Sequence, residues 1–292
     1  MADTSEEPNE GTEARTMRLR RKFLLACLLF YVLMFASLHL IVSEVLICGF
    51  SEVESREAVQ SLDTARNLIE SRQADLLSKI KDWSIWDDTY EFIVDHNLEY
   101  IKSNLPPNVL PDLQLSLMVF VNSSGQIVCA RAYDLDQGKP ADISNSFREI
   151  IRPESPLLDE HPFAGIVSLP EGLILVASHR IVRSDGSGPA QGHLIFGRFL
   201  SHKAVDELSA LSHLHISLRK YSGNIKDLDD QNPGSKSDKY PAVHVLDANT
   251  LLAYDKLTDI HGAPVAILGV RMNRTSYQVG LRTLWLLDIS LA

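Results

Sequence analysis

The densest group of side chains suited to recognition chemistry is DWSIWDDTYEF, from Asp82 to Phe92. At 100° per residue on a helix, Trp83, Trp86, Tyr90, Ile93 and Val94 share one face, with Asp87 on its flank and Asp88 turned away. Rings with polar tips supply large contact area, as ligand clamps do. A carboxylate beside them suits an amine, or an arginine delivered from a sheet. A structural reading fits the same residues: the rings fasten the helix to a sheet, and Asp87 accepts hydrogen bonds from a neighbouring loop. The candidate ligand-binding residues are Trp86, Asp87 and Tyr90 from this segment, with Ser178 and Arg198 from strands further on. Arg198 shares a strand face with Leu194 and Phe196, so its charge needs a partner, and Asp87 is one candidate.

Other chemistry is sparse. His213 and His215 stand two apart on an expected strand, which suits a metal, but no third ligand is identifiable, and solvated edge histidines explain them as well. The chain carries no phosphate-binding loop, H-E-x-x-H, G-x-S-x-G or dinucleotide fingerprint. No catalytic residue, metal or cofactor is therefore assigned. The alternative from another class is a membrane-anchored extracytoplasmic hydrolase using His179, His193 or the His213 and His215 pair; a stand-alone ligand- or partner-binding module is a third reading. Cys129 reads as a small core residue, and Cys48 as either a free thiol or half of a cross-subunit disulfide. Asn122 and Asn273 begin glycosylation sequons.

These residues are carried by 292 residues with formal net charge -10, 45% hydrophobic and 23% charged. The acidic balance argues against nucleic acid as a partner. Three cysteines exclude a disulfide-rich scaffold, and their spacing fits no zinc ribbon or finger. The mean hydropathy of -0.03 conceals a contrast. Phe23 to Val42 runs twenty residues without a charge, enough to cross a bilayer, which takes about 20 residues of helix. Arg15, Arg18, Arg20, Arg21 and Lys22 precede it, whereas Glu44, Glu52 and Glu54 follow. This asymmetry predicts a cytoplasmic N-terminus (1–22), a membrane helix over 23–45 and an extracytoplasmic domain over 46–272. A cleaved signal peptide has a shorter apolar core of about 7–15 residues. At the other end, 273–292 reads as an exit helix, either exposed or opening a second membrane span.

Residues 1–14 are acidic and polar and are expected to be disordered. The proline-free stretch Ser51–Leu105 carries Leu62, Ala65, Ile69, Leu76, Ile80 and Trp83 mostly three or four apart, which predicts one amphipathic helix ended by Pro106 and Pro107. The stripe suits packing on the chain's own sheet, or a seam between two copies in a homodimer. Hairpins are predicted over Leu115–Tyr133 and Gly172–Leu200, with a helical patch near Ile143–Ile151 and an irregular proline-punctuated link between. A helix over His202–Ser212, a strand over Leu214–Arg219, a polar loop over Ser222–Lys239 and strands over Thr250–Leu257 and Ala263–Met272 follow. The order points to an α+β domain with an antiparallel sheet in a core spanning 115–272.

Three blocks also resemble the type 4 CHASE family of extracytoplasmic sensory domains: Asp82–Leu105, the GHLIFGRFL strand Gly192–Leu200, and Leu251–Gly280 with its D-x-x-G-x-P element. Asn273 departs from the apolar residue or proline of the family pattern. The resemblance implies a long N-terminal helix, continuing from a transmembrane helix, packed on a PAS-like or Cache-like antiparallel sheet. It further implies two membrane spans, an unidentified small-molecule or envelope stimulus, and a cytoplasmic output module of histidine kinase or diguanylate cyclase type beyond this sequence. No catalytic residue follows from it.

Overall fold

The computed structural model describes residues 10–152, 154–221 and 240–291. The polar loop expected over 222–239 lies outside the described residues, as do residues 1–9 of the acidic segment. From Glu10 onward that segment is already helical, contrary to the expectation of disorder. The chain forms two compact units, one of residues 56–274 and one of 1–55 with 275–292.

The larger unit is α+β, as expected, and its strands are divided between two antiparallel sheets. In the first, β1 (Leu117–Asn122), β2 (Ile127–Asp134), β3 (Lys139–Ala141), β4 (Phe163–Leu169), β5 (Gly172–Ile181) and β6 (Gly192–Phe199) lie in the order β3-β2-β1-β6-β5-β4. In the second, β7 (His215–Lys220), β8 (Ala242–Val245), β9 (Thr250–Thr258) and β10 (Pro264–Asn273) lie in the order β7-β10-β9-β8. One core serves both. Ala58, Leu62, Ala65, Ile69, Leu76 and Ile80 of α1 (Glu10–Ser84) are at most 3% exposed and share a cluster with Met118, Phe120 and Phe196 of the first sheet and Ala253, Leu268 and Val270 of the second. The spacing of the α1 residues keeps them on one helix face, and each buried aliphatic side chain contributes about 1.5–3 kcal/mol. Since that face is consumed within the chain, it is not free to serve as a seam between copies. Arg66, beside the stripe, pairs with Asp255 of β9 and joins α1 to the second sheet.

The single helix expected over 51–105 stops at Ser84. There the Ser84 carbonyl accepts the Val182 amide and Ile85 forms a parallel bridge with Val182, so the end of α1 bonds to the residue just past β5 in place of its own next turn. Trp86 is extended, at φ -145° and ψ 132°, and α2 (Asp87–Asp95) starts afresh with two carboxylates in its first turn. His96, in the left-handed region at φ 55°, ends α2. Asn97 caps α3 (Leu98–Asn104) by accepting the Glu99 amide, and the single turn α4 (Val109–Asp112) follows. Proline-free sequence hid this break, because it is made by hydrogen bonds to residues almost a hundred positions away.

The other face of the first sheet, with Leu117, Val119, Ile174, Val176 and Ile195, packs under Phe147 of α5 (Asn145–Ile150) and Leu157 of a short 3-10 turn. Strand β4 falls where only the end of an irregular link was expected; covered on both sides, it lacks the alternation by which a half-exposed strand is recognised. Strand β6 passes through the centre at Gly197, where a Cβ would lie 2.7 Å from Leu117 Cγ and 2.8 Å from Ile174 Cδ1. That close approach explains the small residue in GHLIFGRFL.

In the smaller unit, α1 and α7 (Thr275–Leu291) pack together. Gly280 is buried against the Phe50 ring, where a Cβ would sit 2.4 Å from Cδ2. The Tyr277 amide, in the first turn of α7, donates to Glu54 Oε1 at 2.8 Å, and Glu54 is only 4% exposed. The negative carboxylate complements the partial positive charge of the helix start. Among the described residues one helix, α1, is long and apolar enough to cross a membrane, with a window of mean hydropathy 2.4.

The Gly197 contact gives a direct test of the core. Gly197→Val is expected to lower the free energy of unfolding by about 1–3 kcal/mol through overpacking, read from urea denaturation of the full chain. A variant as stable as the natural chain would show that Leu117 and Ile174 do not close on this position.

Candidate functional site

A cavity of about 480 Å³ opens at the end of the first sheet. Its floor is apolar: Leu117 of β1, Phe147 of α5, Leu173 of β5 and Phe199 of β6 line it, together with Ala132 of β2. Alternation on the strands turns Leu117, Ala132 and Phe199 to the side on which Phe147 packs, whereas Leu173 lies on the other, and the Ser144 hydroxyl, accepting the Phe147 amide, sets the start of α5. Five carboxylates line the cavity, Asp134, Asp136, Asp142, Glu171 and Glu207, with the cations Arg198 and Lys203. Ser201, the N-cap of α6 (His202–Ser212), accepts the Ala204 amide and donates to Asp136 Oδ1 at 2.9 Å. Burial raises the Glu171 pKa, but hydrogen bonds from Ser144 and Ser146 and the charge of Lys220 outweigh it, and the carboxyl is held below its usual value. The cavity is of ligand size, with an apolar floor and few polar anchors.

Only Arg198 of the sequence-derived candidates lines this cavity. Its guanidinium donates to Gln114 Oε1 at 2.7 Å and pairs with Glu207 Oε2 of α6 at 2.9 Å. The expected Asp87–Arg198 pair is therefore not formed. Glu207 lies one helix beyond Arg198 in sequence, and the turn after β6 brings α6 back over the strand end, so the nearer carboxylate takes the guanidinium. Ser178 is buried at 2% exposure on the other face of the strand from Ala177, and its hydroxyl donates to the Leu157 carbonyl of the 3-10 turn. It secures the turn beneath the sheet and has no opening onto the cavity.

Trp86, Asp87 and Tyr90 are brought together at the start of α2, where Asp87 and Tyr90 hold the β5–β6 loop. Asp87 is exposed; its Oδ1 accepts the Ser184 amide at 3.1 Å and its Oδ2 accepts the Ser184 hydroxyl, bonds that hold its pKa below 3.8. The Tyr90 hydroxyl donates to the Pro189 carbonyl at 3.2 Å and accepts from Gln191 Nε2 at 3.0 Å, and the Arg183 guanidinium lies 4.4 Å from its ring centre. Trp86 packs edge-on to Trp83 at 6.4 Å and tilted over Tyr100 at 6.2 Å. Tyr100 in turn stacks on Phe92 at 4.4 Å, its hydroxyl 2.7 Å from Thr89 Oγ1 and its pKa pushed up to about 12 by burial. The structural reading of this segment is the one realised: rings fasten α2 and α3 to the first sheet, and the carboxylate grips a loop. The loop partners Ser184, Pro189 and Gln191 were missed because nothing in their own sequence marks them as partners of α2.

The histidines considered for a hydrolase are dispersed. His179 Nδ1 lies 2.8 Å from both Ser84 Oγ and the Arg180 carbonyl. His193 Nε2 lies 3.0 Å from the Asp159 carbonyl. His213 ends α6 in the left-handed region at φ 56°, and His215 begins β7. Among the described residues no group of three or more His, Cys, Asp or Glu side chains could hold a metal ion.

Two outcomes test this geometry. Asp87→Ala is expected to speed hydrogen exchange of the Ser184 amide about tenfold or more and to leave the cavity lining protected. Unchanged exchange would show that Asp87 does not hold the loop. Burial, aided by the charges of Lys81 and Arg180, lowers the His179 pKa below its ordinary 6.5, so the unfolded chain binds the extra proton first. The stability contributed by neutral His179 is present above that value and is lost as pH falls through it toward the folded pKa. Urea midpoints are expected to drop as pH falls below about 6.5, and to drop less in His179→Gln. An identical drop in the variant would assign the effect elsewhere.

Comparison with known proteins places the fold in a family. Residues 68–219 match the CHASE4 domain profile, and this span contains the first two of the three resembling blocks. Over 238 residues the chain is 27% identical to the methanogenesis regulatory histidine kinase FilI of Methanothrix harundinacea (strain 6Ac), covering 80% of this chain and 26% of that protein. The chain thus spans about a quarter of that relative's length. Solved structures with similarity include the periplasmic domain of Vibrio cholerae LuxQ, at 14% identity and a TM-score of 0.47, covering 74% of this chain and 98% of that one. The ligand-binding domain of the Campylobacter jejuni chemoreceptor Tlp3, solved with L-valine, gives 11% identity and a TM-score of 0.43, covering 80% and 97%. The profile match extends over just over half of the sequence, and the chain belongs to the CHASE4 domain family.

Proposed function

We propose that this chain is the ligand-sensing region of a membrane signal-transduction receptor. Residues 1–22 are cytoplasmic, 23–45 cross the membrane, 46–272 form the extracytoplasmic sensor, and 273–292 lead back toward the membrane as the start of a second span. The observation that carries the reading is the cavity of about 480 Å³ inside a unit that belongs to a family of sensory domains. The twenty uncharged residues from Phe23 to Val42, preceded by a basic cluster, support the anchor and its orientation.

The larger unit begins in α1 and ends at the start of α7, so a change within it has two covalent routes out. A stimulus molecule shifts the population between two arrangements of these helices by as much as it binds one more tightly than the other. Its readout is a cytoplasmic module of histidine kinase or diguanylate cyclase type. The kinase FilI, of which this chain matches about a quarter, supports the first of these.

The test is a thermal-shift screen of a small-metabolite library against the full chain in lipid nanodiscs. At least one compound is expected to raise the melting temperature, since binding to the folded form alone stabilises it by mass action. Ala204→Trp, on the cavity wall, is expected to abolish that shift, whereas Asp87→Ala is expected to retain it. A hit indifferent to Ala204→Trp would move the stimulus site elsewhere.

A further inference from the structure

The charges around the cavity do not balance, and the imbalance names a ligand class. Arg198 is already answered by Glu207 at 2.9 Å, which leaves Lys203 on the wall and Lys220 near Glu171 as the remaining cations against Asp134, Asp136, Asp142 and Glu171. The hydrogen bonds these carboxylates accept come from neutral donors and do not cancel charge. Asp134 Oδ1 takes the amides of Asp136 and Gln137 at 3.0 and 2.9 Å, Asp136 takes the Ser201 hydroxyl, and Glu171 takes the Ser146 hydroxyl at 2.9 Å. Asp142 has no hydrogen-bond or ion-pair partner among the described residues. The same serine contacts favour ionised Glu171, whose pKa is lowered.

The start of α6, which would otherwise favour an anion, has its partial positive charge answered from within. Asp136 sits there through Ser201. A concave wall of one dominant sign above an apolar floor concentrates counter-ions and repels anions. The floor offers Phe147, Leu173 and Phe199 to an apolar body.

We propose that the cavity takes a small organic cation, an ammonium carried on an apolar chain or ring, with Asp142 and Glu171 as its charge partners and Leu117, Phe147 and Phe199 around its body. This rests on the reading of the cavity as the stimulus site.

Calorimetric titration of the full chain in nanodiscs with three probes of one shape, pentylammonium, pentan-1-ol and pentanoate, tests it. Pentylammonium is expected to bind about tenfold or more tightly than pentan-1-ol, with no heat from pentanoate, and to weaken as salt rises. Asp142→Asn combined with Glu171→Gln is expected to weaken pentylammonium about tenfold while the melting temperature of the free chain holds. Pentanoate or pentan-1-ol binding as well as pentylammonium, no binding of pentylammonium, or a double variant that binds it unchanged would each overturn the cation assignment. Ala204→Trp separates the two levels of the claim. If pentan-1-ol or pentanoate binds the natural chain and this substitution blocks it, the cavity remains the ligand site and only the cation class fails. If pentylammonium binds regardless of the substitution, the cavity reading fails with it.

Discussion

One apolar face of α1 shares a single core with both antiparallel sheets of the larger unit. Ala58, Leu62, Ala65, Ile69, Leu76 and Ile80 leave water together, and each sheet covers part of them. Neither sheet could bury its inner face alone, because a sheet with one exposed apolar side needs a second layer to be stable. The polar tie between Arg66 and Asp255 lies at the edge of this contact, where side chains keep some access to water. The first of these sheets carries β1, β2, β5 and β6, whose ends line the cavity.

The end of α1 is the second constraint. A helix terminus leaves carbonyls without intrahelical partners, and here the Ser84 carbonyl is satisfied by the Val182 amide of the β5–β6 connection. From that point Asp87 and Tyr90 continue along the same loop, so a segment rich in recognition chemistry spends it on its own backbone. The cavity, by contrast, lies at the other end of the β5 and β6 strands, where Arg198 and Phe199 close β6. It is built largely from positions that are individually ordinary: alanine, leucine, single aspartates in turns.

Much of the scaffold was legible. The stripe on α1 reads directly from three- and four-residue spacing, and the strands flanking the Asn122–Gly125 turn and the α+β order of elements are equally plain. Strand β4 and the break at Ile85 were not legible, since one is buried on both faces and the other depends on a strand far along the chain. Of the candidate site residues, Arg198 lies where a ligand could meet it, and its need for a partner was correctly anticipated although Glu207 fills that need. Trp86, Asp87, Tyr90 and Ser178 have the right chemistry in positions where neighbouring backbone already uses it.

The sequence by itself determined which residues would leave water and where a stretch long and apolar enough to cross a membrane lies, because hydrophobic periodicity and run length are properties of a few consecutive residues. Only the tertiary structure decided which charge meets which. Arg198 finds Glu207 instead of Asp87, and Asp87 finds Ser184, through strand register and loop closure. Those are relations between distant segments, and no local pattern of side chains encodes the distance at which a carboxylate will stand from a guanidinium.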